Sequence, residues 1–138
     1  MKEIDTRATI RPTPEAKGYL DKLKKNDVFD RMIDAYLFAA AYAIQNNLEI
    51  SKMTLRDRQD LVVLNRVDED VLLALAAGIH AIRKRNGQDE PSDSKELLEI
   101  LTQYAEVGIT ELKQRWEGKV GSQIQSDISN IISSSVGS

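Results

Sequence analysis

Val28-Phe29-Asp30-Arg31-Met32-Ile33-Asp34-Ala35-Tyr36-Leu37-Phe38-Ala39-Ala40-Ala41-Tyr42-Ala43-Ile44-Gln45 is the stretch on which the fold turns. Phe29, Met32, Ile33, Tyr36, Leu37, Ala40 and Ile44 recur at steps of three and four, the repeat that stacks side chains on one helix face. Phe38, Ala39, Ala41 and Ala43 carry the apolar surface round much of the circumference. A helix apolar on most sides sits among other helices, and its alanines let their backbones come close. The stretch predicts a central helix over 28–45, broken by Asn46-Asn47.

Upstream, Thr13-Pro14-Glu15 is a helix start: a hydroxyl cap, a proline whose missing N–H costs nothing there, and an acid near the positive dipole end. That helix runs to Lys25 with Tyr19, Leu20 and Leu23 as its stripe. Residues 1–12 read as a polar N-terminal extension.

Downstream, 48–66 is ambiguous. Thr54 can cap a short helical turn, and Leu61-Val62-Val63-Leu64 is an apolar run too short to choose between strand and helix. Helix or irregular structure is expected, because no second strand candidate stands out and an isolated strand leaves backbone groups unpaired. Asp68-Glu69-Asp70 opens the next helix, over 68–86. Its face is Val71, Leu72, Leu75, Ala76, Ile79 and Ile82, and it ends at Arg83-Lys84-Arg85-Asn86-Gly87. Ser92 or Ser94 caps the longest helix, 94–117, with Leu97, Leu98, Leu101, Tyr104, Ala105, Gly108, Ile109, Leu112 and Trp116 on one side. Gly108 costs about 1 kcal/mol against Ala inside a helix, so it marks a close-packing point or a kink. Beyond Gly118, a Ser-rich tail carries Ile124, Ile128, Ile131 and Ile132 at helical spacing.

The expected fold is all-α: a compact bundle of about five helices with a C-terminal amphipathic tail. The domain spans 13–117, with 1–12 as an extension and 118–138 as a tail that docks on its own chain, a second copy or a partner. A chain of 138 residues, 41% hydrophobic and 30% charged, is sized for one core. The net charge of −3 counts against nucleic acid as the main partner, since phosphate binding draws on a basic excess. The charge is uneven: residues 1–87 hold 15 of the 19 basic side chains, and 88–138 are acidic on balance.

The chain has no Cys, which removes disulfides, thiol catalysis and iron–sulfur clusters and fits a reducing cytoplasm. Met1-Lys2-Glu3-Ile4-Asp5 lacks the apolar run of a signal peptide, and no stretch approaches a membrane span, so a soluble cytoplasmic protein is expected. His80 is the single histidine and has no evident catalytic partner nearby in sequence. The acidic runs Asp68-Glu69-Asp70 and Asp89-Glu90 match no calcium-loop spacing, and no glycine loop is built for phosphate. No catalytic, cofactor or metal residue is therefore expected. Lys22, Lys24 and Lys25, with Arg83, Lys84 and Arg85, are the candidate nucleic-acid contacts, though acids interleave with the first group and cations at helix ends are ordinary capping. Ile124, Ile128, Ile131 and Ile132 are the candidate partner or oligomer contacts.

The 28–42 string, together with Tyr104-Ala105-Glu106-Val107-Gly108-Ile109-Thr110-Glu111-Leu112, resembles accessory proteins of DNA phosphorothioation (Dnd) systems. Those are small helical proteins encoded beside bacterial DNA sulfur-modification and restriction genes. Their pattern is a phenylalanine-started helix rich in small apolar residues, followed by a late Tyr-Ala-x-x-Gly helix. The resemblance spans 15–117 and leaves the tail outside; 48–66 departs from the basic, proline-containing linker of that family. It implies an accessory subunit in bacterial anti-phage defence linked to DNA modification and restriction, and it brings no catalytic residue. The leading expectation is thus a non-enzymatic interaction subunit whose partners are proteins of a defence complex, with self-association as a further option. A nucleic-acid-binding regulator using the basic helix ends is the alternative, and a small hydrolase using His80 the third.

Overall fold

The computed structural model describes residues 4–50 and 55–136. Among these, the chain forms β1 (Thr9–Ile10), α1 (Pro14–Lys25), α2 (Met32–Gln45), β2 (Val62–Val63), a 3-10 turn (Leu64–Arg66), α3 (Glu69–Arg85), α4 (Ser94–Arg115) and α5 (Gly121–Val136). The all-α reading holds: a helical bundle with one minimal strand pairing.

Local chemistry explains the helix ends. The Thr13 hydroxyl accepts from the Ala16 N–H at 3.2 Å, Asp68 caps α3 through the Asp70 N–H at 2.8 Å, and Asp93 caps α4 through the Glu96 N–H at 2.8 Å. The cap of α4 is therefore Asp93 rather than a serine. Helices α1, α2 and α3 close with one device. The N–H groups two and one positions beyond the cap reach back to carbonyls in the last turn: Val28 to Leu23 and Asp27 to Lys24, Leu48 to Ala43 and Asn47 to Ile44, Gln88 to Arg83 and Gly87 to Lys84. The left-handed residue this requires is Asp27, Asn47 or Gly87.

This closure corrects the expected start of the central helix. Val28 is committed to ending α1, so α2 begins at Met32 after an extended Arg31. The largest interface in the molecule is α2 against α4. Ala35, Ala39, Ala40 and Ala43 are buried along α2, and Ala105 and Gly108 along α4. A Cβ on Gly108 would overlap the carbonyl oxygen of Ala39 and stand 2.6 Å from its carbon. Gly108 is thus a close-packing point, where two helix backbones nearly touch. Helix α1 packs on both α2 and α4, and so does α3.

Two expectations fail at the N-terminal side. Val62–Val63 is strand, and its partner is Thr9–Ile10 in the segment read as an extension. Around the register Ile10↔Val62, the N–H groups of Gln59, Leu61, Leu64 and Asn65 donate to the carbonyls of Pro12, Ile10, Ala8 and Thr6. Ile10 and Pro12 are buried, so this segment contributes two residues to the core while Arg11 between them stays exposed. The polar composition of 1–12 hid one inward isoleucine, and two residues per strand are too few to show a period of two. Thr54, read as a cap, lies outside the described residues.

Helix α5 lies on its own chain. Ile124 is buried, Ile128 and Ile131 are half-buried against the core, and the Gln125 amide donates to the Asp27 carbonyl at 2.9 Å.

Candidate functional site

Among the described residues the most enclosed ionisable carboxyl is Glu106 of α4, 4% exposed. Its Oε1 accepts from the Thr13 hydroxyl at 2.7 Å, and its Oε2 accepts from the Thr13 N–H at 3.1 Å and the Tyr36 hydroxyl at 2.7 Å. One carboxyl group thereby ties the start of α1 to the middle of α2 and α4. It sits at the positive end of the α1 dipole, where an acid is favoured. Burial, followed by the neighbouring Glu106 charge, pushes the Tyr36 phenol far above its ordinary range. Thr13 and Tyr36 are themselves buried, so the cluster is enclosed among the three helices. Its chemistry is spent on holding three helices in register.

The sequence reading missed Glu106 because it flanks the apolar stripe of α4 rather than lying on it. Thr102, one turn earlier and also buried, shows that α4 is enclosed over a wider arc than the stripe alone.

His80 meets Glu90 with Nδ1 3.2 Å from Oε2, a pairing between α3 and the α3–α4 loop. Arg83 holds the same loop, its Nε donating to the Asp89 carbonyl at 2.6 Å. Both residues therefore serve to fasten the loop. Among the described residues no cluster of three or more His, Asp or Glu side chains could hold a metal ion. No helix there is long and apolar enough to cross a membrane.

The basic candidates are dispersed. Arg83 and Arg85 border an open cleft of about 560 Å³ with Gln103 and Tyr104, and Arg85 donates to the Asn47 side chain at 2.7 Å. Lys22 borders a different cleft, about 610 Å³, with Lys113, Lys119 and Trp116. Lys24 borders a third with Arg31 and Arg66. Lys25 pairs with Asp21 at 2.8 Å, and Lys84 is exposed. None of these three clefts joins the α1 lysines to the α3 end.

Of the candidate partner contacts, Ile124 is corrected: it is spent on the core of its own chain. Asp127 explains why. Its carboxylate accepts from Arg115 Nε at 2.7 Å and Nη2 at 2.9 Å, and from the Trp116 indole N–H at 2.7 Å. That clasp turns Ile124, Ile128 and Ile131 inward and leaves Ile132 exposed.

The surface the sequence reading overlooked is the outer side of α3. Val71, expected on the inward face, and Leu73 are 41% and 52% exposed there, and Ala74, Ala77 and Ala81 are exposed beside them. No charged side chain interrupts this face between Asp70 and Lys84.

No family model, no curated protein and no solved structure matches this chain.

Proposed function

We propose that the protein is a non-enzymatic interaction subunit of a bacterial anti-phage defence system linked to DNA modification and restriction, working in the cytoplasm. The observation that carries the interaction role is the outer face of α3. A folded helix of this size ordinarily turns charged residues outward; this one turns out Val71, Leu73 and three alanines. The buried polar groups support the same reading, because Glu106, Tyr36 and Thr13 are engaged with one another inside the bundle. The defence context rests on the resemblance of 28–42 and 104–112 to Dnd accessory proteins.

The test is affinity capture of the full chain from its native host, with captured proteins identified by mass spectrometry. Recovery of modification or restriction proteins by the native chain, lost with Leu73→Glu, is the expected result. Recovery of none of them removes the defence context, and equal recovery by Leu73→Glu removes α3 as the contact face. Retention on duplex DNA that falls steeply with salt would transfer the reading to a nucleic-acid binder.

A further inference from the structure

The exposed face of α3 has a spacing that reads the same in both directions. Asp70, Leu73, Ala77, Ala81 and Lys84 follow one another at steps of three, four, four and three, so the pattern is symmetric about Ala77. Steps of three and four keep all five on one side of the helix. Acids stand at one end, Glu69 and Asp70, and bases at the other, Lys84 and Arg85. Among the described residues, neither Asp70 nor Lys84 forms an ion pair within the chain.

We infer that α3 pairs with α3 of a second copy, antiparallel, across a two-fold axis at Ala77. In that register Leu73 lies against Ala81 of the other copy, Ala77 against Ala77 and Asp70 against Lys84. Each apolar residue of the stripe meets an apolar partner, and each charge meets its opposite. A parallel pairing would set Asp70 on Asp70 and Lys84 on Lys84, so the charges choose the antiparallel arrangement. The two helix dipoles also run opposed. Alanine at the crossing allows the axes to approach to the short end of the usual 8–10 Å. The interface is isologous and closed, so it ends at a dimer.

The stripe from Asp70 to Lys84 is about 21 Å long, at about 1.5 Å of rise per residue. One helix pair of that length falls at the low end of specific interfaces, so the dimer dissociates in roughly the micromolar range. This inference rests on the proposed function only in taking the α3 face as a contact surface; it names the occupant as a second copy, so that defence partners bind the dimer and Leu73→Glu loses them by dissociating it.

The experiment is sedimentation velocity of the full chain over a concentration series reaching about 100 μM, well above such a dissociation constant. A reversible monomer–dimer equilibrium is expected. Ala77→Glu, at the axis, should abolish it. Asp70→Lys or Lys84→Asp alone should weaken it by about tenfold or more, and Asp70→Lys with Lys84→Asp should restore it, because the exchanged charges meet again. Since the chain has no Cys, Ala77→Cys provides a second readout. Under mild oxidation it should form a disulfide-linked dimer, whereas Ser126→Cys on α5 should not. A chain monomeric throughout, a dimer indifferent to Ala77→Glu, or a double charge exchange that fails to restore association overturns the inference. Loss of partner capture by Leu73→Glu with a monomeric native chain would leave the proposed function standing alone. A dimer without defence partners would leave this inference standing alone.

Discussion

The α-carbon of Gly108 in α4 faces the backbone of Ala39 in α2 so closely that no side chain fits between them. A Cβ there would overlap the Ala39 carbonyl oxygen. Gly108→Ala gains about 1 kcal/mol of helix propensity, but it forces apart the largest interface in the bundle, a cost of about 3 kcal/mol or more. The midpoint of thermal unfolding, followed by circular dichroism, should therefore fall by roughly 5–10 °C. Adding Ala39→Gly should not rescue it, because the obstructing atom belongs to the backbone. An unchanged or higher midpoint would show that α2 and α4 are not in this contact.

Glu106 should be costly to replace. Glu106→Ala leaves a cavity and strands the Tyr36 hydroxyl and the Thr13 N–H, each buried, at a cost of about 3–5 kcal/mol. Glu106→Gln keeps one oxygen for those two donors but presents an N–H₂ group to the Thr13 hydroxyl, costing about 1–3 kcal/mol. Chemical denaturation should rank native above Gln above Ala. Equal stability of all three would rule out the clamp.

Asp127 makes the docking of α5 sensitive to acid. Hydrogen bonds from Arg115, with a further one from Trp116, hold its carboxyl below the ordinary value of 3.8. A depressed carboxyl pKa contributes stability that is complete above the ordinary value and lost as pH falls through the lowered one. Trp116 is the only tryptophan, and its indole N–H is part of the clasp, so its emission reports the release directly. Acidification from about pH 5 to about pH 2 should shift that emission in the native chain, and Asp127→Asn should remove this component. Identical titrations of the two chains would count against the clasp.

Ile10 tests whether the N-terminal segment belongs to the core. It is 1% exposed and paired with Val62. Ile10→Ala should destabilise the whole domain by about 2–4 kcal/mol in a single cooperative transition. A dispensable extension would tolerate the change with no measurable loss.

The helices were largely legible in the sequence because their signals are local. Thr13-Pro14, Asp68-Glu69-Asp70 and Asn86-Gly87 state where α1 and α3 start or stop, and the stripes of α2 and α4 state which sides turn inward. The site was less legible. Glu106 and Thr13 are 93 positions apart, and no period or cap announces that one will hold the other. His80 and Glu90 were visible as single residues but not as a pair.

The order and type of the helices were determined by the sequence alone, since propensity, capping and periodicity act within a few residues. Tertiary structure decided the rest. It placed Ile10 beside Val62, buried Glu106 among three helices, turned Ile124 inward through Asp127, and left Val71 and Leu73 of α3 uncovered. Each of these depends on which surfaces meet across the folded chain. That choice is a matter of packing among distant segments, which no local pattern encodes.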